Sequence, residues 1–449
     1  SCSLIDGQCK HASIAGCCTL NSQCNDNKVC TTDSCLNNKC VYKPKSAGSV
    51  CAADKTCKDA NSCLCNVWNK TNTADAVYST SSEYLWDVVQ AAGGTDSYAV
   101  GYRYISSAQG YEGLIIKRDQ WSNVIWSKTY NAGVSGKTDY LYAAAATSDG
   151  GLWAVGESSK NSHYDGWVIR VSAAGAVTKN LTFGGTGSDE FRDVHPTGGD
   201  GIVIAGRTYV NSKVSYQGWL IWLNKDGVKT GLGERTFGGT GSEYVYGVTR
   251  SPYGTILVSG YVSATGVGNQ GWLATMTPSG SYHSYLGGGA SNDYLQRVTM
   301  LSSTTFAAVG YTYTTTKGGA DGWVVRGTLS TLSGTVSNVT EYEYGGAGTD
   351  VFYDVAASKS GYARAVGYTS SSGAGGSDGW MVELNYSTGA AALAKTIGGT
   401  KNDYLYGLAK SSYGTWLTAG RTNSYGNGTY DTWQLSANAG GATMCLLIK

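Results

Sequence analysis

The 449-residue sequence predicts an all-β protein: a seven-bladed β-propeller preceded by a small disulfide-rich module. Three observations predict it. Twelve of the 13 cysteines precede residue 66. From residue 83 onward an acidic residue, a glycine and a third-strand tryptophan, replaced by leucine in the first copy, recur in fixed order through seven copies, at spacings of 50 to 57 residues. No segment carries ten or more residues of 3.6-residue periodicity free of glycine, so helix has little place.

The first element is the module at 1–66. Its cysteines are Cys2, Cys9, Cys17, Cys18, Cys24, Cys30, Cys35, Cys40, Cys51, Cys57, Cys63 and Cys65. So short a stretch has few apolar residues from which to build a core, and disulfides take the core's place. Zinc is poorly supported, because the module has one histidine, His11, and no Cys-x-x-Cys pair. Disulfides imply an oxidising compartment, so the chain is expected to be secreted, extracellular or at the cell surface. A start at Ser1 without Met fits a mature form whose signal peptide has been removed. An odd cysteine count leaves at least one thiol over: either Cys445 is a buried free thiol, or it bonds into the module and another cysteine is left over, and the expectation is a tether from the last blade to the module or the linker near Cys63 and Cys65. A leftover cysteine in a secreted protein also permits an intermolecular bridge.

The second element, 67–449, is the repeat. Its acidic landmark is Glu83, Asp139, Asp189, Glu243, Asp293, Asp350 and Asp403, and a blade is expected to start near each. The second-strand glycine is Gly101, Gly156, Gly206, Gly260, Gly310, Gly367 and Gly420. The third-strand aromatic is Trp167, Trp219, Trp272, Trp323, Trp380 and Trp433, with Leu114 in the first copy. Each copy holds four short runs rich in Val, Ile, Thr, Tyr and Trp, separated by turns such as Asn224-Lys225-Asp226-Gly227. Four antiparallel strands repeated seven times make a propeller; an open solenoid would use shorter repeats. All four strands of every blade are expected to be contiguous in the chain, with Ala442 to Lys449 as the outer strand of blade seven.

Two resemblances accompany these readings. Gly238-Gly239-Thr240-Gly241-Ser242-Glu243 and Gly345-Gly346-Ala347-Gly348-Thr349-Asp350, with Ala205-Gly206-Arg207-Thr208 and Val366-Gly367-Tyr368-Thr369, resemble the SBBP-type β-propeller repeat over roughly residues 77 to 449. That resemblance implies the fold and no activity. The run from Cys24 to Cys35, followed by Cys40, resembles the slime-mould CTDC repeat of extracellular-matrix proteins. It implies a secreted matrix or surface setting and no catalytic residue.

The repeated residues read as scaffold. The six tryptophans are expected to pack between blades, each burying roughly 150–250 Å²; a row of sugar-stacking platforms is the alternative. Asp165, Asp321, Asp378 and Asp431, two residues before the tryptophans, are expected to shape tight turns. The glycines are expected to admit a neighbouring strand or the tryptophan closely. The seven acids enter the innermost strands and would ring one mouth of the axial channel. Their carboxylates are expected to accept backbone N–H bonds, and they form a candidate calcium ring because calcium favours converging oxygens. No other cofactor is expected.

Tests for a reaction centre fail. His11, His163, His195 and His283 form no metal motif, and there is no Gly-x-Ser-x-Gly elbow. Thr147 to Trp153 misses a sialidase Asp-box by one residue of spacing. The chain is therefore expected not to be an enzyme. With 33 basic and 32 acidic residues, it lacks the clustered charge that nucleic acid requires. No run approaches 18 apolar residues, so no transmembrane helix is expected. Sequons at Asn69, Asn180, Asn338, Asn385 and Asn427 are permitted glycan sites. The expected role is structural: a component of a secreted matrix, cell-surface filament or flagellar hair, with the propeller as a rigid disc and the module as connector. Its partners would be itself or other extracellular proteins. A lectin-like, carbohydrate-binding propeller is the alternative, with glycans as partners.

Overall fold

The computed structural model describes residues 82–437, apart from 121–122, 135, 265, 267, 290, 314–317, 413 and 426–429. Before residue 82 it describes residues 21 and 24 and strand segments between residues 4 and 71. No α-helix occurs among the described residues. Seven four-stranded antiparallel sheets form the body. Their first strands are Glu83–Gln90, Asp139–Ala146, Glu190–Gly198, Ser242–Arg250, Asp293–Met300, Asp350–Ala357 and Asp403–Lys410. Each packs beside the next, and the last packs beside the first, so these strands line an axis and the ring closes. The fold is a seven-bladed β-propeller.

Alternation of side chains along each strand puts one apolar set on either face of a blade, and the faces meet between blades. Seven apolar clusters result, one per junction. Trp167 lies in the cluster of blades one and two, with Ile115 and Leu141. Trp219 occupies the next junction, followed in order by Trp272, Trp323, Trp380 and Trp433. Leu114 holds the equivalent place between blades seven and one. The tryptophans are enclosed and present no stacking face to solvent. The ring nitrogens of two of them donate to the outer strand, Trp167 to Asn180 Oδ1 and Trp219 to Glu234 Oε1, each at 2.8 Å.

A bulge at one place in every first strand gives the second-strand glycines their reason. In blade one Gly101 pairs with Leu85 and Val100 with Asp87, so Trp86 has no partner. Blade two skips Tyr142 in the same way, and the others skip Arg192, Tyr246, Gln296, Tyr353 and Tyr406. A bulge re-aims a side chain and bends its strand. Here the bend drives the inner strand's backbone over the second strand. A Cβ on Gly101, Gly156, Gly206, Gly260, Gly310, Gly367 or Gly420 would collide in every case with a carbonyl oxygen of the inner strand. The glycines thus admit a neighbouring strand, not the tryptophan.

Closure departs from the sequence expectation. In blade seven the outer position beside Asp431–Ala437 is held by Asn69–Thr71, from the other end of the propeller segment. Thr71 pairs with Trp433, Lys70 with Gln434 and Asn69 with Leu435. Blade seven is therefore shared between distant parts of the chain. Backbone hydrogen bonds then hold the seam and cover an edge that would otherwise be open. The expected outer strand, Ala442 to Lys449, lies outside the described residues.

In the cysteine-rich segment, Thr31–Leu36 and Lys39–Pro44 form a hairpin with Cys35 opposite Cys40. A disulfide joins Cys24 to Cys40, and buried Cys24 docks on the hairpin. The side chains of Cys2, Cys9, Cys17, Cys18, Cys30, Cys51, Cys57, Cys63, Cys65 and Cys445, and the expected Cys445 tether, lie outside the described residues.

Candidate functional site

The seven bulged residues meet at the axis. Trp86, Tyr142, Arg192, Tyr246, Gln296, Tyr353 and Tyr406, with Arg297 and Tyr311, line a cavity of about 240 Å³. The seven bulged residues each stand three residues after their blade's acidic landmark, one per blade, while Arg297 and Tyr311 are further contributions from blade five. Trp86 stacks on Tyr406 at 4.4 Å and meets Tyr142 edge-on at 5.9 Å. Tyr353 meets Tyr406 edge-on at 4.8 Å. The guanidinium of Arg192 lies over the Tyr142 ring at 4.1 Å. It also bonds Glu190 Oε2 at 2.7 Å.

A second tier of tyrosines surrounds this ring. Tyr84 stacks on Tyr102, Tyr244 on Tyr261 and Tyr294 on Tyr311, at 4.4 to 4.9 Å. Arg421 lies over Tyr84, Tyr404 and Tyr430 within 4.7 Å. Burial lifts the phenols, carrying Tyr102 and Tyr368 to about 12 and Tyr142 and Tyr406 well above their usual value. These hydroxyls therefore stay protonated at neutral pH and act as neutral donors and acceptors. Burial also pushes Glu157 up to about 7, with Glu190 adding to the lift, while the Tyr142 hydroxyl donates to its carboxylate at 2.7 Å.

One residue further along each strand lies the floor, made of Asp87, Asp193, Asp354 and Arg297. Each aspartate spans a junction. Asp87 accepts from Val88 N in its own blade and from Ala144 N in blade two. Asp193 does so with Val194 N and Val248 N, and Asp354 with Val355 N and Leu408 N. Arg297, from blade five, pairs with Asp193 and reaches Asp354 Oδ1 at 3.2 Å. Burial raises Asp87 to about 6 and Asp354 to about 7, with Arg297 opposing both shifts. The mouth thus offers π faces, phenolic hydroxyls and guanidinium groups. Such groups can stack and hydrogen-bond.

The seven landmark carboxylates are not gathered in this cavity. They sit separately at blade junctions, and five of them clamp the preceding turns. Asp189 accepts from Gly185 N at 2.7 Å, Glu243 from Gly239 N at 2.7 Å and Asp293 from Gly289 N at 2.9 Å. Asp350 and Asp403 accept from Gly346 N and Gly399 N, each at 2.8 Å. Glu83 pairs with Arg103 at 2.5 Å. Burial lifts Asp139 to about 6. The acids before the tryptophans face the same turns: a Cβ on Gly345 would collide with both Asp321 and Asp350, and one on Gly398 with both Asp378 and Asp403. No group of three or more His, Cys, Asp or Glu able to hold a metal occurs among the described residues.

The near Asp-box is a turn. Asp149 accepts from Gly151 N at 3.1 Å and pairs with Arg170 at 2.9 Å. Of the sequons, Asn180 and Asn338 are exposed on outer strands, and Asn385 Oδ1 caps a turn through Ser387 N at 2.9 Å. The Asn69 side chain and Asn427 lie outside the described residues.

No protein-family model and no curated protein sequence matches the chain. Solved structures do resemble it. The Neurospora crassa Pan2 WD40 domain is 8% identical with a TM-score of 0.51, over 83% of this chain and 95% of that one. A Bacteroides caccae protein of unknown function is 12% identical with a TM-score of 0.38, over 70% and 94%. Chaetomium thermophilum Sqt1 bound to the N-terminus of ribosomal protein L10 is 12% identical with a TM-score of 0.41, over 78% and 96%. The Pan2 likeness is a likeness of fold.

Proposed function

We propose that this chain is a structural component of a secreted extracellular assembly (a matrix, cell-surface filament or flagellar hair). The propeller is its rigid interaction disc and the cysteine-rich segment its connector. A propeller of the kind seen in the Pan2 WD40 domain is consistent with a protein-interaction scaffold. The observation that carries the reading is the closure strand. Asn69–Thr71 follows Cys65 by four residues and is built into the outer edge of blade seven. Force applied to the cysteine-rich segment is thus passed to the disc through a β-ladder. The Cys24–Cys40 bridge stiffens the connector, and the Cys24-to-Cys35 run resembles the CTDC matrix repeat. An odd cysteine allows a covalent link between copies. A net charge of +1 opposes close association only weakly. The tyrosine-ringed mouth is the surface to which a partner would dock. The proposal assigns no catalytic step and no cofactor.

Electron microscopy and size-exclusion of native material, with and without reductant, test it. Large assemblies that shrink on reduction are expected. A monodisperse monomer under both conditions would overturn it.

A further inference from the structure

Blade three breaks the repeat at one point. On its third strand Ile221 pairs with Glu234 and Leu223 with Lys229, so residues 230–233 all stand opposite Trp222. Blades one, two, four, five and six insert no more than two residues there. Left-handed backbone at Gly231 and Gly233, with φ of 63° and 69°, makes the excursion feasible. Trp222 is itself an exception. The corresponding residue in the other blades is Lys117, Arg170, Thr275, Arg326, Glu383 or Ser436. Several of these are engaged: Lys117 with Asp96, Arg170 with Asp149 and Glu383 with Arg364. Blade three gives up that polar contact and places an indole there.

The consequence is a cleft of about 530 Å³ between blades three and four, distinct from the axial cavity. Trp222 and Tyr253 supply aromatic faces, and Tyr253 is 54% exposed. Thr197, Thr230 and Thr277 supply hydroxyls. Arg250 lines the cleft and makes no ion pair among the described residues. Its Nη2 lies over the Gly254 turn, 3.3 Å from where a Cβ would sit. Burial, with Arg250 adding to it against Asp193, holds nearby His195 below its usual value, so the cleft's positive charge is the arginine's.

We propose that this cleft binds an acidic oligosaccharide, with a uronate ring stacked against Trp222 and its carboxylate on Arg250. A pyranose ring has an apolar C–H face and a hydroxyl edge, matching an aromatic wall beside threonines. A free guanidinium in a mixed polar and apolar cleft selects a planar carboxylate, which it holds by two parallel hydrogen bonds. The volume is that of a small-ligand site. This binding does not depend on the assembly role, and either can fail alone.

Titration calorimetry of the full chain at low ionic strength tests it, with trigalacturonate, a glucuronate-containing tetrasaccharide, neutral galactotriose and hexaglutamate as probes. At least one acidic saccharide is expected to bind, with galactotriose and hexaglutamate weaker. Trp222→Leu is expected to weaken the acidic saccharide about tenfold. Arg250→Gln is expected to abolish the preference over galactotriose, and Arg250→Lys to restore it in part. The melting temperature of each variant reports folding, and Arg250→Gln serves if Trp222→Leu is unstable. No heat from either acidic saccharide at millimolar concentration overturns the assignment. So does binding that both substitutions leave intact, or hexaglutamate binding as tight as the saccharide.

Discussion

Replacing Arg297 with glutamine probes the axial floor directly. Arg297 pairs with Asp193 and with Asp354, where the separation is 3.2 Å, and its charge also opposes the rise of Asp87. Removing one partner of a buried pair costs about 3–5 kcal/mol, because the remaining charge is left without compensation in a poor solvent. The sign of the pH dependence follows from two carboxyls. Asp87 and Asp354 sit at about 6 and 7 in the folded chain, against a usual 3.8. Between about pH 4 and 7 the folded state therefore holds protons that the unfolded state has released, and stability falls as pH rises through that window. Arg297 limits the fall by favouring the ionised forms. Without it, ionising these groups costs more, so the loss in Arg297→Gln is expected to be larger at pH 8 than at pH 5. Guanidinium unfolding followed by tryptophan fluorescence at the two pH values measures both losses. Equal losses, or a loss under about 1 kcal/mol at pH 8, would refute the electrostatic account of the floor.

Other substitutions test the scaffold. Trp219→Ala empties a site that is 1% exposed and is expected to cost about 3–5 kcal/mol by thermal or chemical unfolding. Gly260→Ala drives a Cβ into the Tyr244 carbonyl oxygen and is expected to cost about 1–3 kcal/mol, with Tyr246 displaced from the cavity; near-neutral stability would contradict the bulge geometry. Removing residues 1–71 uncovers the edge of Asp431–Ala437, and hydrogen exchange there is expected to accelerate more than in blade three, with aggregation rising. Unchanged protection would show that another segment closes blade seven.

The fold was legible because its landmarks keep the same residue type in each copy. Glycine is forced opposite the bulge, tryptophan or Leu114 fills the junction, and an acid clamps the turn. The cavity was hidden for the opposite reason. Its lining residues occupy one position but change type from Trp86 to Tyr142, Arg192 and Gln296, so no repeated letter marks them. The available signal was positional, three residues after the acid and next to the residue that pairs with the glycine. The closure strand was missed because Asn69-Lys70-Thr71 is short and polar and carries no alternating pattern. The blade-three cleft left a trace in Gly231-Leu232-Gly233, two glycines inside a run that otherwise reads as strand.

The floor shows why the seven repeats cannot all be alike. Each aspartate of the floor bonds its own strand and the next blade. Asp87, Asp193 and Asp354 face blades whose equivalent residues are Ala143, Gly247 and Gly407. This device uses blades in pairs: one with two, three with four, six with seven. An odd ring leaves one blade over, here blade five. A fourth aspartate there would add a buried anion with no cation to oppose it. Blade five instead carries Arg297, which reaches the aspartates of blades three and six across the axis. The two raised carboxyls are what remains uncompensated when three acids share one base. Three acids, three small residues and one base thus stand at the floor in place of sevenfold repetition, and the side chains directly above it, Trp86 to Tyr406, likewise differ between blades.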